Sequence, residues 1–500
     1  CGRDDGAEAP TAGVAHKSRP MCEKCKTVQA VLQSRQEALC RTCFISSALY
    51  RFRGGFCKAG YRRGMGKVAA AFSGSASSVT MLDMLVKARE GTGRAVMFFE
   101  PCVLHIDTTS LSMLHERFMS PEQRAEKQHA LLSTACSYGY PVFVVPLELA
   151  HVPLAEWELP AAEASSPPRA AASLREAALG PDVREAAAPT PIRCAAAVRE
   201  RAVDSLRALF ACVRSVDARE HLLRSVRRSL LSRAAQALGI EAVAEATAAD
   251  AAAMQFLTRV CTGGGFSAPL DASFHDPRSP SVLVMRPVLE LLRKEMAAYA
   301  RFAGLQSVTL PSFVTACPPR TSIAATTQAL VQRLQTGFPS TVPTVLKTTH
   351  RLRVPNTGHG PSLAATAAAL RADFGVAKGQ AGLTLAGERD ERRLRRDRRR
   401  RAREEGRTVG EVLAEEEAEA AIPPLLCPLC ASVLAPREAA TLCGPSAAVG
   451  SGGGAAGSGP AGSRLVDVVC YSCATVLEDA CDADMPAPAW VAEAAERQRA

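Results

Sequence analysis

Eight of the eighteen cysteines fall into four Cys-x-x-Cys pairs, and that spacing is the strongest chemical signal in the chain. Cys22, Cys25, Cys40 and Cys43 follow the pattern C-x2-C-x14-C-x2-C. Each tight knuckle can present two thiolates, and two knuckles together close a tetrahedral shell around one zinc ion. Cys427 and Cys430, with Cys470 and Cys473, repeat the device across a longer span that includes GSGGGAAGSGPAGS. A ribbon tolerates such a span, because doubling a surface loop costs only about 0.6 kcal/mol. Both shells are full, so the two zinc sites are expected to be structural and to carry no catalysis. The other cysteines, such as Cys102, Cys136 and Cys261, lie singly among apolar residues, which fits metal binding in a reducing compartment better than a disulfide scaffold.

Two further stretches carry chemistry. In AAAFSGSASSVTMLDML, Ala69 to Leu85, a buried strand runs into a loop of small residues, Ser73, Gly74, Ser75, Ala76, Ser77 and Ser78, and then into a helix. Small residues at such a turn let backbone N–H groups approach an anion, with the helix dipole behind them. The same residues also suit a tight turn that binds nothing. In RFRGGFCKAGYRRGMGK, the cations Arg51, Arg53, Lys58, Arg62, Arg63 and Lys67 alternate with Phe52, Phe56 and Tyr61. Cations suit RNA phosphates and aromatics suit unstacked bases, so these six are candidate RNA contacts. The competing reading is a solvated connector. His105, beside Asp107 in VLHIDTTS, is read as hydrogen-bonded structure and not as an acid–base catalyst.

The elements that must position these residues alternate. Lys67 to Phe72 reads as a strand, Val79 to Lys87 as a helix, and Ala95 to Phe99 and Val103 to Asp107 as strands. A helix from Pro121 to Ser137 precedes a buried strand over Pro141 to Leu149. Strands separated by helices of this length imply an α/β fold with a parallel sheet, whose ligands sit at the carboxyl ends of the strands. Residues 158–195 interrupt the pattern with Ala, Pro and Glu and read as a low-complexity insertion. Helices resume over Ala197 to Val213, Ala218 to Leu238 and Ala248 to Cys261. Ser281 to Gly304 reads as a short strand, a proline in the first helical turn and a long helix, in which Arg286, Glu290, Lys294 and Glu295 recur at helical spacing. Whether Arg286 joins such surface pairs or points towards the loop is open at this level. A helix over Ser322 to Gln335 and the segment Phe338 to Val354 complete the core.

The expected organisation is a disordered start (1–20), a four-cysteine zinc module (21–50), an α/β domain in two parts (66–157 and 196–355), a charged linker (356–425), a zinc ribbon (426–482) and a tail (483–500). The net charge of +10 suggests an anionic partner, yet its distribution weakens the inference. Eleven arginines oppose six acids from Glu388 to Arg407, and the five glutamates that follow up to Ala420 cancel the excess. Such interleaving suits a solvated, self-paired helix, or else a basic arm on a nucleic-acid backbone. No run of 18 apolar residues is present, which argues against a spanning helix. Cys1 stands where a Met would begin a complete chain, so residues are expected to precede it.

The order of these parts resembles one family, the cytosolic tRNA 2-thiolation proteins, which are related to the N-type ATP pyrophosphatases with their PP-loop domain. The likeness is greatest to its second, non-catalytic-looking subunit type. It rests on the paired knuckles ending in CRTCF, on SGSASS, on RPVLELLRKEMAAYARFAG, on SIAATTQALVQRLQTGFPSTV and on the late CYSC. The resemblance implies a cytoplasmic heterodimer with a catalytic thiolase paralogue. It further implies action on the wobble uridine of tRNAs for Lys, Glu and Gln, with sulfur delivered as a thiocarboxylate on a ubiquitin-like carrier. Catalytic members carry S-G-G-x-D-S to hold the pyrophosphate of ATP. On that pattern Ser73, Gly74 and Ser78 match, Ser75 replaces the second glycine and Ser77 replaces the aspartate.

Two more departures point the same way. Catalytic relatives place a Cys-x-x-Cys before the next motif, whereas this chain has no cysteine from Val213 to Gly239. A thiolate is the sulfur-transfer group and cluster ligand, and Leu or Arg cannot replace it. The following motif is EATAADAAAMQFL, with Glu245 and Asp250 as its only acids. The expectation is therefore a subunit whose phosphate loop survives for its shape, with ATP binding left open. The alternatives are a chain that itself adenylates uridine as an ATP-dependent sulfurtransferase, and a zinc-containing RNA or protein adaptor.

Overall fold

The computed structural model describes residues 20–352, apart from 36, 63, 90–95, 112–118, 161–187, 266, 277, 280–281 and 315–320, together with Arg400, Arg403 and Cys473. The expected disordered start except Pro20, the charged linker except Arg400 and Arg403, and the tail lie outside the described residues, as do Arg63 and all of the C-terminal ribbon except Cys473. The chain divides into two compact units between Tyr50 and Arg51.

In the first unit, β1 (Leu32–Ser34) and β2 (Glu37–Leu39) form an antiparallel pair with Leu32 opposite Leu39. The first knuckle, Cys22 to Cys25, is closed by Lys26 N–H donating to Cys22 O at 2.8 Å, with Lys26 in the left-handed region at φ 55°. Glu23 ties it to the hairpin, since its N–H donates to Ala38 O and its carboxylate accepts from Ala38 N–H, both at 2.9 Å. The second knuckle, Cys40 to Cys43, leads into α1 (Arg41–Lys58).

The second unit is built on a seven-stranded sheet. Its strands are β3 (Lys67–Ala71), β4 (Glu100–Asp107), β5 (Val142–Pro146), β6 (Pro189–Pro191), β7 (Ala242–Ala244), β8 (His275–Asp276) and β9 (Leu283–Met285), in the order β6-β5-β4-β3-β7-β9-β8. Every neighbouring pair is parallel except β8 with β9. Central strands covered on both faces must be apolar throughout, and β7 reads Ala-Val-Ala, all buried. The chain moves outward from β3 through β4 and β5 to β6, then returns to the other side of β3 as β7. The switch point therefore lies between β3 and β7, where open α/β sheets place their ligand crevice.

The helices are α2 (Ala76–Arg89), α3 (Pro121–Cys136), α4 (Ala196–Cys212), α5 (Val216–Ala237), α6 (Ala249–Cys261), α7 (Ala268–Asp271), α8 (Arg293–Ala303), α9 (Ile323–Gly337) and α10 (Thr341–Thr349). α3 begins at a capping box: Gln123 N–H donates to Ser120 Oγ at 3.3 Å while Ser120 N–H donates to Gln123 Oε1 at 3.1 Å, with Pro121 at the first helical position. α2 is buried over Ser78 to Leu85 and is held to α8 by polar contacts. Tyr299 Oη donates to Asp83 Oδ2 at 2.8 Å, and Thr80 Oγ1 donates to Met296 O at 3.1 Å.

Four sequence expectations are corrected here. The stretch read as a basic connector is helical up to Lys58, because Phe52 and Phe56 lie one turn apart on a face that stacks into the interior. Phe56 packs against Phe52 at 5.5 Å, Tyr61 at 5.3 Å and Phe99 at 5.7 Å between ring centroids. Of the strands read over 95–99 and 103–107, the second lies within β4, while the described residues 96–99 of the first form no strand, because Phe99 turns into the aromatic cluster. The long helix expected to follow Pro287 starts only at Arg293, because residues 286–291 are taken up by turns in which Leu289 N–H donates to Arg286 O and Leu291 N–H to Val288 O. The end of the segment read as a low-complexity insertion supplies the edge strand β6.

Candidate functional site

The small-residue loop sits where the topology predicts. β3 ends at Ala71 beside Leu104 of β4, Phe72 N–H donates to Leu104 O at 2.8 Å, and Ser73 to Ser78 then turn into α2 at the switch point. Gly74 has φ 76°, a region that costs a residue with a Cβ about 1 kcal/mol or more. A Cβ there would also lie 2.7 Å from Leu131 Cδ1 of α3 and 3.2 Å from Val308 O. Gly74→Ala is therefore expected to destabilise the second unit by about 1–3 kcal/mol. Urea midpoints of the two proteins check this.

The loop's own hydroxyls satisfy one another. Ser73 N–H donates to Ser78 Oγ at 3.3 Å, Ser73 Oγ and Ser75 Oγ lie 3.0 Å apart, and Ser78 Oγ donates to Ser75 O at 3.0 Å. Ser75, which stands where a second glycine would leave the backbone bare, fills the cradle with its side chain. The residues present thus keep the turn but do not fit a pyrophosphate.

His105 braces this turn from β4. Its Nδ1–H donates to Phe72 O at 2.9 Å, and Nε2, 3.0 Å from the Gln128 amide nitrogen, accepts from it. Both ring nitrogens are used by a neutral imidazole, which agrees with the structural role expected of this residue. Burial holds its pKa below the usual 6.5, and burial followed by Arg233 brings His151 down to about 4. Below pH 6.5 the unfolded chain takes up protons that these folded histidines refuse, so stability falls as pH drops from 6.5 towards 4. Each contributes a slope of up to about 1.4 kcal/mol per pH unit. Denaturant midpoints at pH 7.5 and pH 5 are expected to differ accordingly; equal midpoints would contradict it.

The acids of the later motif are committed elsewhere. Glu245 Oε2 lies 3.0 Å from Arg286 Nε, and Asp250 accepts from the N–H of Arg293 at 2.9 Å. Arg286 also donates to Leu270 O at 2.9 Å, Ser273 O at 3.1 Å and Asp276 Oδ2 at 2.8 Å. Its guanidinium is thus a hub joining β9, β7 and β8, and it forms no pairs along a helix face. Glu290 and Glu295 pair instead with Lys58 and Arg51, the latter at 3.1 Å. Around Arg286 lies a buried network that sequence spacing did not reveal: Arg278 reaches Asp271 at 2.7 Å as well as Asp276, and Arg228 reaches Asp271 at 3.2 Å.

The six candidate RNA cations separate in the structure. Arg51 is buried against Glu295, Arg53 donates to Lys87 O at 3.3 Å, Lys58 pairs with Glu290, Lys67 lies within β3, and Arg62 is exposed. The aromatics between them are core residues, so no base can stack on Phe52 or Phe56.

The four N-terminal cysteines do converge. Their sulfurs all lie within 4.8 Å of one another, and Cys25 Sγ is 3.8 Å from Cys40 Sγ. A Zn–S distance of about 2.3 Å in a tetrahedron separates sulfurs by about 3.8 Å, so the shell has the size of one ion. Hydrogen bonds from the Thr27 side chain and backbone draw the Cys25 thiol down to about 6, while Cys40 and then burial push Cys43 up to about 12. Thiolates this close repel one another, so the last proton leaves only when a cation replaces it. Of the second expected shell, Cys427, Cys430 and Cys470 lie outside the described residues. Cys473 is buried in the main core with its Sγ 3.3 Å from His221 Nε2 of α5, a partner that no spacing in the sequence announces.

No family model matches the chain. Among curated proteins, it is 27% identical over 358 residues to the cytoplasmic tRNA 2-thiolation protein 2 of Danio rerio, covering 69% of this chain and 68% of that one. It is 28% identical over 363 residues to the protein of that name in Xenopus tropicalis (67% and 68% covered) and 29% over 365 residues to that of Homo sapiens (69% and 70%). Among solved structures, the U34-tRNA thiolase NcsA of Methanococcus maripaludis, with its [4Fe-4S] cluster, aligns at a TM-score of 0.44 and 13% identity, over 66% of this chain and 87% of that one. The shared sequence spans about two thirds of both chains in each of these three relatives, so the chain is similar over most of its length to the cytoplasmic tRNA 2-thiolation protein 2 of several vertebrates.

Proposed function

We propose that the chain is a non-catalytic partner subunit in the cytoplasmic 2-thiolation of tRNA wobble uridine. On this reading a catalytic thiolase paralogue adenylates the C2 oxygen of the uridine in tRNAs for Lys, Glu and Gln, and sulfur from a thiocarboxylated ubiquitin-like carrier displaces AMP. This chain supplies the heterodimer face and helps to hold the tRNA. The observation that carries the reading is the loop at the switch point, where Ser73, Ser75 and Ser78 bond to one another in the place of a phosphate cradle. Glu245 and Asp250, the acids of the neighbouring motif, are engaged by arginines.

Cys22, Cys25, Cys40 and Cys43 would hold a structural zinc ion, which fixes two knuckles and performs no chemistry on substrate. Cys427, Cys430, Cys470 and Cys473 are proposed as a second such shell. Arg53, Lys58, Arg62 and Lys67 remain RNA-contact candidates as phosphate-directed cations, whereas Arg51 is structural because its ion pair with Glu295 is buried.

The test is reconstitution. Purified chain, its catalytic paralogue, tRNA, ATP and the sulfur carrier are combined, and 2-thiouridine is measured in digested tRNA. Thiolation is expected only when both proteins are present, and it should persist at more than half the rate with Ser73→Glu, since Ser73 is exposed and a carboxylate there repels only a bound phosphate. Thiolation by this chain alone would overturn the reading.

A further inference from the structure

Cys473, from the late CYSC knuckle, is fully buried in the apolar cluster that includes Phe210 of α4 and Leu222 of α5. A neutral thiol in such a place behaves as a small hydrophobe and needs no polar neighbour. Yet one is aimed at it, since His221 of α5 places Nε2 3.3 Å from Cys473 Sγ. The two residues are 252 positions apart, so the fold makes this contact and chain proximity does not.

A third group decides where the imidazole carries its proton. Arg259, near the end of α6, lies with Nη1 3.0 Å from His221 Nδ1 and 3.3 Å from Nε2. A guanidinium has no lone pair to offer and can only donate. The nearer ring nitrogen, Nδ1, therefore accepts, and the proton sits on Nε2, directed at the sulfur. A protonated Nε2 is no metal ligand, but it donates well to a thiolate, the charged form of sulfur. Arg259 is itself fixed: its side chain is 6% exposed and its Nε lies 3.9 Å from Asp271 Oδ2, within the same buried network as Arg278. The His221 ring is thus held in one tautomer by a residue that is anchored from its other side.

A metal-bound thiolate is what this pair fits. Groups outside a metal shell that hydrogen-bond to its ligands orient them, and losing one typically weakens metal binding by about 10–100-fold. We infer that His221, backed by Arg259, is a positioning residue for the Cys473 thiolate and fastens the second four-cysteine shell to α5. This role rests on the proposed shell of Cys427, Cys430, Cys470 and Cys473, and adds to it the group that holds one ligand in place. In the sequence His221 stands in AREHLLRSVRR, a stretch without cysteine, and no spacing links it to CYSC.

The test follows Cys473 itself. The full chain, purified with zinc, is treated with iodoacetamide near neutral pH, and alkylation of each cysteine is followed by peptide mass spectrometry. Cys194, buried in the same cluster, reports any general opening of the core. His221→Leu, which keeps bulk and removes the donor, is expected to speed alkylation of Cys473 by about tenfold or more while Cys194 stays protected. His221→Gln, whose amide keeps an N–H donor, is expected to return Cys473 to within about threefold of the parent rate. An unchanged Cys473 rate in His221→Leu would overturn the inference. Equal rates in the leucine and glutamine variants, or opening of Cys194 together with Cys473 in both, would reduce His221 to a packing residue and overturn it as well. Zinc content separates this role from the shell it serves. Two ions per parent chain, one of them lost to a chelator about tenfold faster from His221→Leu, would support both. Two ions released at parental rates would overturn the positioning role alone, and one ion per parent chain would remove the second shell and the role with it.

Discussion

Replacing Cys40 with Ser is expected to unfold the N-terminal unit and to release its metal, while the sheet unit keeps its own transition. The unit has only three-residue strands and a handful of buried apolar residues, among them Leu39, Phe44 and Ala48, so its core alone cannot offset the entropy of ordering some thirty residues. Structural zinc in small modules contributes on the order of 10–16 kcal/mol of apparent binding free energy at neutral pH, and that energy is folding energy. Loss of one thiolate breaks the shell and leaves the remaining sulfurs crowded without a cation. A strong chelator should reproduce the effect in the parent chain. The pH dependence follows from the protons displaced: with Cys43 held up at about 12, metal binding releases at least its proton at neutral pH. Affinity should therefore weaken by about tenfold or more for each pH unit lowered. Metal content by mass spectrometry and proteolysis of the N-terminal unit are the readouts, and an ordered, protease-resistant Cys40→Ser unit would contradict the account.

Asp276→Ala is expected to cost the second unit about 3–5 kcal/mol, because it removes the carboxylate shared by buried arginines. Asp276 lies between Arg278, within hydrogen-bond reach, and Arg286 at 2.8 Å, with Arg228 at 3.8 Å, and it is 2% exposed. Burial by itself would raise its pKa, but Arg278, Arg228 and Arg286 outweigh it and hold the carboxyl well below the usual range. Its contribution is thus complete above the unfolded carboxylate value near 3.8 and is lost only as pH falls below that. At pH 7 the variant leaves guanidinium groups desolvated without their partner. Arg278→Met, which removes a charge and keeps volume, should cost less than Asp276→Ala, and the reverse order in denaturant unfolding would contradict the assignment of the carboxylate as the shared hub.

Legibility from sequence followed interaction range. The knuckle pair was plain because four ligands at two fixed spacings are local, and the structure brings those four sulfurs together. The strand–loop–helix around Gly74 was equally plain, since an apolar run, small residues and a helical pattern follow one another within twenty residues. The helix starts read at Pro121 and Ser322 were also nearly right, each falling where a serine, Ser120 or Ser322, caps the first turn. What escaped was set by contacts far apart in the chain. Arg51 looks like a surface cation until Glu295, 244 residues on, is seen to meet it. Phe52, Phe56 and Tyr61 look like base-stacking platforms until Phe99 completes their cluster. Pro287 suggested the start of a helix, but β9 must first release the chain past Arg286, whose side chain is held by Glu245 and Asp276. The edge strand β6, three residues including two prolines, has no apolar pattern to announce it, and it sits where only one neighbour needs its hydrogen bonds.

The most direct test of the central claim, that this subunit serves thiolation without activating the uridine, is formation of AMP. The purified chain alone is incubated with ATP, magnesium and tRNA, and AMP and pyrophosphate are quantified against a protein-free blank. The serine-filled loop predicts no AMP above the blank, and no difference between the parent and Ser73→Glu. AMP formed by the parent chain and lost with Ser73→Glu would contradict it, and would place an active site at the switch point.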